Sequence, residues 1–193
     1  MASVQVAIAS RPKPGQTECG DVAAVWTHGA GTICCVADGV GHGPPARAAA
    51  VRALQYFESN WGMPFDRLFA EAHQALRETR GAALSLAVIE PAAERLRYGG
   101  IGNVKGLHLR FGGQRVRLHS TPGILGINYA PVKMREDPFR IGDTLILHTD
   151  GFTDRIHFLP QDTPCACHLQ AHAESLLSDY AGERDDALIM VAT

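Results

Sequence analysis

Aspartates next to short apolar runs carry the first chemical signal. Asp21 precedes the run Val22 to Thr27, and Asp38 follows the run Thr32 to Ala37. The segment between them, His28-Gly29-Ala30-Gly31, suits a β-hairpin connection. With that connection, facing residues have numbers summing to 59, which sets Asp21 opposite Asp38. Like charges directly across a strand pair are destabilising, so the pair calls for protonation, a bulge or a cation. The pattern recurs near the C-terminus, where Asp150 ends the run Thr144 to Thr149 and Asp185-Asp186 precede Ala187 to Val191. In an antiparallel sheet the end of one strand and the start of the next share an edge, so Asp21, Asp38, Asp150 and Asp185 can meet at one rim. A single Asp beside a strand is ordinarily a turn or cap residue; the recurrence is what departs from that. An oxygen-only cluster suits Mg²⁺ or Mn²⁺ better than Zn²⁺. After Asp38 the chain runs Gly39-Val40-Gly41-His42-Gly43 into Pro44, and glycines let backbone groups approach a ligand closely.

These residues need strands to hold them, and the sequence supplies many short ones. The expected strands are Val4 to Ala9, Val22 to Thr27, Thr32 to Ala37, Ala83 to Glu90, Arg95 to Gly99, Lys105 to Phe111, Gln114 to His119, Val132 to Asp137, Thr144 to Thr149 and Ala187 to Ala192. Three segments have helical periodicity instead. One follows Pro44-Pro45 with a stripe of Ala46, Ala50, Leu54 and Phe57; a second spans Phe65 to Thr79, with Leu68, Phe69, Ala72, Ala75 and Leu76 on one face. The third, Cys167 to Tyr180, aligns Leu169, Ala173, Leu176 and Leu177 and meets Gly182. The stripes read as core, Glu90 to Glu94 as a hairpin connection and Pro160 to Pro164 as a loop. The fold class expected is α+β.

At 193 residues and 20.7 kDa one domain over 1–193 is expected. Apolar residues at 46% and charged residues at 20% belong to a folded chain. The net charge is −2, and neither half carries the basic excess that nucleic-acid binding needs. No apolar run is long enough for a membrane span and Met1 to Ser10 does not read as a signal peptide, so a cytoplasmic protein without membrane or nucleic-acid partners is expected. Five cysteines, with Cys34 and Cys35 adjacent in a strand, argue for reduced thiols and no disulfides.

Five strings in order, Glu18-Cys19-Gly20-Asp21, Ala37-Asp38-Gly39-Val40-Gly41-His42-Gly43, Gly100-Ile101-Gly102-Asn103, His148-Thr149-Asp150-Gly151-Phe152-Thr153-Asp154 and Asp185-Asp186-Ala187-Leu188, resemble the metal-dependent protein phosphatases of the PPM family. The resemblance is to its compact SpoIIE-like branch and, by size, to the RsbX-type phosphatases of the stressosome pathway. It implies an αββα sandwich of two antiparallel sheets, with two divalent cations, Mn²⁺ or Mg²⁺, at one rim. On this resemblance Asp38 bridges both ions, the Gly39 carbonyl joins it, Asp150 and Asp185 hold the second ion, and Asp21 fills the first acidic position. Glu18, His42, Asn103, Asp154 and Asp186 are neighbours of the site. The implied reaction is hydrolysis of phosphoserine or phosphothreonine by a metal-bridging water, on a phosphorylated STAS-domain scaffold protein of RsbS or RsbR type. Two departures stand out. Val40 replaces the His that follows the Asp-Gly pair in classical members, leaving proton donation to His42 or water, and only Arg11 loosely matches the phosphate-binding Arg.

Other readings are weaker. Cys19 lacks the following Arg of a cysteine phosphatase. Cys165, Cys167, His168 and His172 match no closed zinc spacing and read as exposed loop residues. His28, His73, His108, His119 and His157 read as surface or strand-edge residues, Trp26 and Trp61 as packing, and Phe152 and Phe158 as either rim or core. A catalytically silent adaptor is the main rival, although it would have no use for four mutually repelling carboxylates. A two-metal hydrolase of nucleotides is disfavoured by the absence of a Walker-type loop.

Overall fold

The structure is a computed structural model that describes residues 4–152 and 168–193. Among these residues ten strands form two antiparallel sheets. The first runs β1 (Val6–Arg11), β10 (Ala187–Ala192), β9 (Thr144–His148), β6 (Lys105–Leu109), β7 (Arg115–Leu118). The second runs β2 (Asp21–His28), β3 (Gly31–Gly39), β4 (Ala82–Glu90), β5 (Arg95–Ile101), β8 (Arg135–Pro138). Helices α1 (Pro44–Ser59) and α2 (Phe65–Ala75) belong to the core of the second sheet, and α3 (Leu169–Tyr180) covers β1 and β10 of the first. The layers are αββα, as the resemblance implied.

Three apolar layers follow from the patterning. The central one, between the sheets, includes Cys34, Val36, Leu96, Tyr98, Leu145, Leu147 and Met190. Alternate residues of β3, Ile33, Cys35 and Ala37, face α1 and α2, which is why this strand is apolar on both sides. The helical stripes pack as expected: Phe57 of α1 meets Phe69 of α2 edge to face, with ring centroids 4.8 Å apart. Truncating either fully buried ring to alanine would cost about 3–5 kcal/mol. Trp26 and Trp61 also pack edge to face, at 6.0 Å, over the margin of this layer.

All ten expected strands and three helices are present, with differences at the ends. Helix α2 stops at Ala75 rather than Thr79, because the Thr79 hydroxyl donates to the Leu76 carbonyl (2.7 Å) and accepts the Gly81 N–H (3.0 Å), turning the chain into β4. Strand β8 begins at Arg135, since Val132 is taken into the helical layer instead of a ladder. His73 and His108 are not surface residues: both are buried, the first accepting the Gly126 N–H at Nδ1 (3.0 Å), the second pairing through Nε2 with Asp143 (3.0 Å). Phe152 is buried. Cys19, Cys34 and Cys35 are buried free thiols; Asp154, His157, Phe158, Cys165 and Cys167 lie outside the described residues.

Candidate active site at the carboxylate rim

The hairpin register is the one the numbering demands, with Asp21 paired to Asp38 across β2 and β3. Asp38 sits near the end of β3, just before the loop into α1, and Asp150 lies just beyond the end of β9. Asp185 and Asp186 directly precede β10, the neighbour of β9. Both Asp-Gly pairs owe their glycine to a close backbone approach. A Cβ on Gly39 would lie 1.9 Å from the Ala46 carbonyl oxygen of α1, and one on Gly151 would lie 2.0 Å from the carbonyl oxygen of Asp186. The first contact ties Asp38 to helix α1, and the second ties Asp150 to the residues before β10.

Asp21, Asp38, Asp150, Asp185 and Asp186 line one open cavity of about 690 Å³. Val40, His42, Asn103, Ser120 and Lys13 also line it. Few donors serve so many acceptors. Asn103 donates from Nδ2 to Asp38 Oδ2 (3.0 Å) and to Asp150 Oδ2 (2.7 Å). The Lys13 backbone N–H donates to Asp186 Oδ1 (2.8 Å), and the Asp186 N–H to Asp185 Oδ1 (2.9 Å). Oδ2 of Asp21 and Oδ2 of Asp186 are buried without a hydrogen-bond partner among the described residues. Such orphaned carboxylate oxygens are costly, and a cation is the simplest remedy.

The electrostatics agree. Burial, then the charge of Asp38, push the Asp21 carboxyl well above the ordinary carboxylate range. Burial, then the charge of Asp150, do the same to Asp38, opposed by the Asn103 hydrogen bond. Among the described residues no three His, Cys, Asp or Glu side chains already close round one point as a finished ion site. An open ring suits Mg²⁺, which keeps several of its waters and takes only one or two carboxylates. The donor set therefore fits hard divalent cations.

Three residues stand outside the cavity lining; the first, Gly39, directly follows Asp38 and packs against the Ala46 backbone. Glu18 does not line the cavity and pairs with Arg47 at 3.6 Å. Arg11 is spent on carbonyls, donating to Gly182 (2.6 Å) and Ala181 (3.3 Å), so it is not free to hold a phosphate. Lys13 is the one Lys or Arg among the described residues lining the cavity. No local pattern marks it; only the fold carries the 13–20 segment past Asp186.

An αββα sandwich with a carboxylate-lined cavity at one rim defines the class of PPM, or PP2C, phosphatases. The sequence model of Stage II sporulation protein E (SpoIIE) matches residues 28–191, and the chain belongs to that family as a PPM-type serine/threonine phosphatase. It is 25% identical over 148 residues to the phosphoserine phosphatase RsbX of Bacillus subtilis, covering 77% of this chain and 74% of RsbX. Among solved structures it is similar to one described as "The bacterial stressosome: a modular system that has been adapted to control secondary messenger signaling", with 27% identity, full coverage of both chains and a TM-score of 0.93. It is also similar in fold to RsbX in complex with magnesium, with 22% identity, TM-score 0.81, and 98% and 94% of the two chains covered. The SiaA-PP2C domain of Pseudomonas aeruginosa shares the fold at TM-score 0.75 and 20% identity, with 96% and 84% covered.

Proposed function

We propose that the chain, acting as one domain over 1–193 in the cytoplasm, removes phosphate from phosphoserine or phosphothreonine on a STAS-domain scaffold protein of RsbS or RsbR type. The observation that carries this reading is the set of five carboxylates on one open cavity, two of them with buried, unpartnered oxygens. Likeness to RsbX and to a chain described with the bacterial stressosome supports the choice of substrate. Among the described residues no helix is long and apolar enough to cross a membrane.

Asp21, Asp38, the Gly39 carbonyl, Asp150 and Asp185 would hold two divalent cations, Mg²⁺ or Mn²⁺. When bound, these offset the repulsion among the carboxylates, lower the pKa of water at the site and neutralise phosphoryl charge. The remaining work belongs to the chain. Asn103 bridges Asp38 and Asp150 and so sets their separation. Lys13 is the cavity's cation and would attract the phosphoryl oxygens as a point charge. Val40 carries no proton to give, so the departing serine oxygen takes its proton from His42 or from water.

The test offers phosphorylated STAS-domain protein and p-nitrophenyl phosphate to the wild type and to Asp38→Ala, with Mg²⁺, Mn²⁺ or chelator. The reading expects phosphate release that needs metal and Asp38. Turnover that survives the chelator would overturn the metal chemistry, and metal binding without turnover would favour the adaptor.

A further inference from the structure

A cluster of three hydroxyls lies directly behind the cavity. Ser85 of β4 and Tyr98 of β5 are fully buried, and Ser120, just after β7, lines the cavity wall. The Tyr98 hydroxyl lies 2.8 Å from the Ser85 hydroxyl and 2.9 Å from that of Ser120. Both serines donate to the same acceptor, the Val104 carbonyl, each at 3.1 Å. The proton count closes: two seryl protons fill the two lone pairs of that carbonyl, and the tyrosyl proton goes to a seryl oxygen.

The surroundings are cut to fit this cluster. A Cβ on Gly100 would lie 2.4 Å from the Ser120 hydroxyl oxygen and 2.7 Å from that of Ser85. One on Gly106 would lie 3.0 Å from the Tyr98 ring. The cluster thus accounts for Gly100 and, together with Leu118, whose Cβ would lie 2.9 Å away, for Gly106. It grips the Val104–Lys105 peptide, one residue beyond Asn103, at the point where the chain crosses from β5 in one sheet to β6 in the other. Asn103 then spends both amide protons on carboxylates from the two sheets, Asp38 near the end of β3 and Asp150 just beyond β9. Apolar residues would fill the same space between the sheets, so a buried hydroxyl cluster there asks for a purpose.

We propose that Tyr98, Ser85 and Ser120 are positioning residues that clamp the Val104 carbonyl and thereby set Asn103 as the bridge between Asp38 and Asp150, preorganising the cavity for its cations. The proposal rests on the metal-dependent reading above and adds a device to it. None of the three hydroxyls needs to touch substrate.

The experiment compares wild type, Tyr98→Phe, Asn103→Ala and the double variant. Mg²⁺ affinity is read by calorimetry, and the Asn103 side-chain amide by its ¹⁵N–¹H resonances in the metal-free protein. Removing a group that orients a metal ligand typically costs 10–100-fold in affinity. Tyr98→Phe is expected to weaken Mg²⁺ roughly 10-fold and to move the Asn103 amide signal, and the double variant to bind no worse than Asn103→Ala alone. A Tyr98→Phe protein that melts lower but keeps its Mg²⁺ affinity and its Asn103 signal would overturn the proposal, as would additive losses in the double variant. Ser120→Ala, at the cavity wall, takes the place of Tyr98→Phe should the latter fail to fold. If the wild type binds no Mg²⁺ and releases no phosphate, the proposed function fails, whereas the amide signal still tests the clamp: it must move in Tyr98→Phe, and a fixed signal refutes the clamp alone.

Discussion

The two ends of the sandwich treat the same residue type in opposite ways. At the end away from the cavity, Asp143 precedes β9 with its oxygens filled. Oδ1 accepts the Phe111 N–H (2.8 Å), and Oδ2 accepts the Arg140 N–H (2.9 Å) and lies 3.0 Å from His108 Nε2. It ties the β6–β7 hairpin turn to the turn that leads from β8 into β9. At the cavity end, Asp21 and Asp186 are equally buried, yet each keeps an oxygen with no donor among the described residues. A satisfied buried carboxylate is a structural part, whereas unsatisfied ones crowded on one cavity are held for a ligand that brings positive charge.

The largest effect that could break this contrast is on activity. Asp38→Asn should lower phosphate release about 1,000-fold or more, the scale of losing a preorganised electrostatic group. It should not lower the melting temperature in chelator, since it removes repulsion. Asp143→Ala should do the reverse: stability falls by about 3 kcal/mol as several donors lose their acceptor, while kcat measured on folded protein stays near the wild-type value. Equal loss of activity and stability in both variants would erase the distinction between the two ends.

Smaller effects sharpen it. Lys13→Gln should raise KM for the phosphoprotein roughly 10-fold, about one screened charge contact in a partly wet cavity, with Mg²⁺ affinity little changed in calorimetry. The two ends should also respond oppositely to pH. Asp21 has its pKa raised, to about 8, so between the unfolded value near 4 and that point the folded, metal-free protein binds more protons than the unfolded chain. Stability in chelator should therefore fall as pH rises from 5 to 8, read as a falling melting temperature, and Mg²⁺ should flatten the slope. His108 is lowered by burial, partly offset by Asp143, so its end loses stability as pH drops below about 6.5. A melting curve insensitive to pH on the alkaline side would sink the first half of this prediction, and one insensitive on the acid side the second.

The contrast also shows what could be read from the chain. Alternation, turn spacing and one hairpin register placed Asp21 against Asp38, because a two-residue period leaves no freedom once the connection is known. Asp150, Asp185 and Asp186 were legible as strand-flanking acids. That Asp186 keeps an oxygen without a donor was not, since Asp143 before Thr144 looks in sequence just like Asp186 before Ala187. Partners 32 and 35 residues away decide the difference. The same holds for Asn103, whose bridge spans 65 residues to Asp38 and 47 to Asp150, and for Arg11, whose carbonyl partners lie 170 and 171 residues on. His108 stood at a position where strand alternation points it between the sheets, a signal that its polar type concealed. Gly39 was legible as special, whereas the pressure of helix α1 against it was not.

The most direct measurement is anomalous X-ray scattering from crystals equilibrated with Mn²⁺. Manganese is expected inside the cavity, bounded by the carboxylates of Asp21, Asp38, Asp150 and Asp185, and is expected to be lost in Asp38→Asn. Crystals saturated with Mn²⁺ in which that cavity scatters no more than solvent would contradict it.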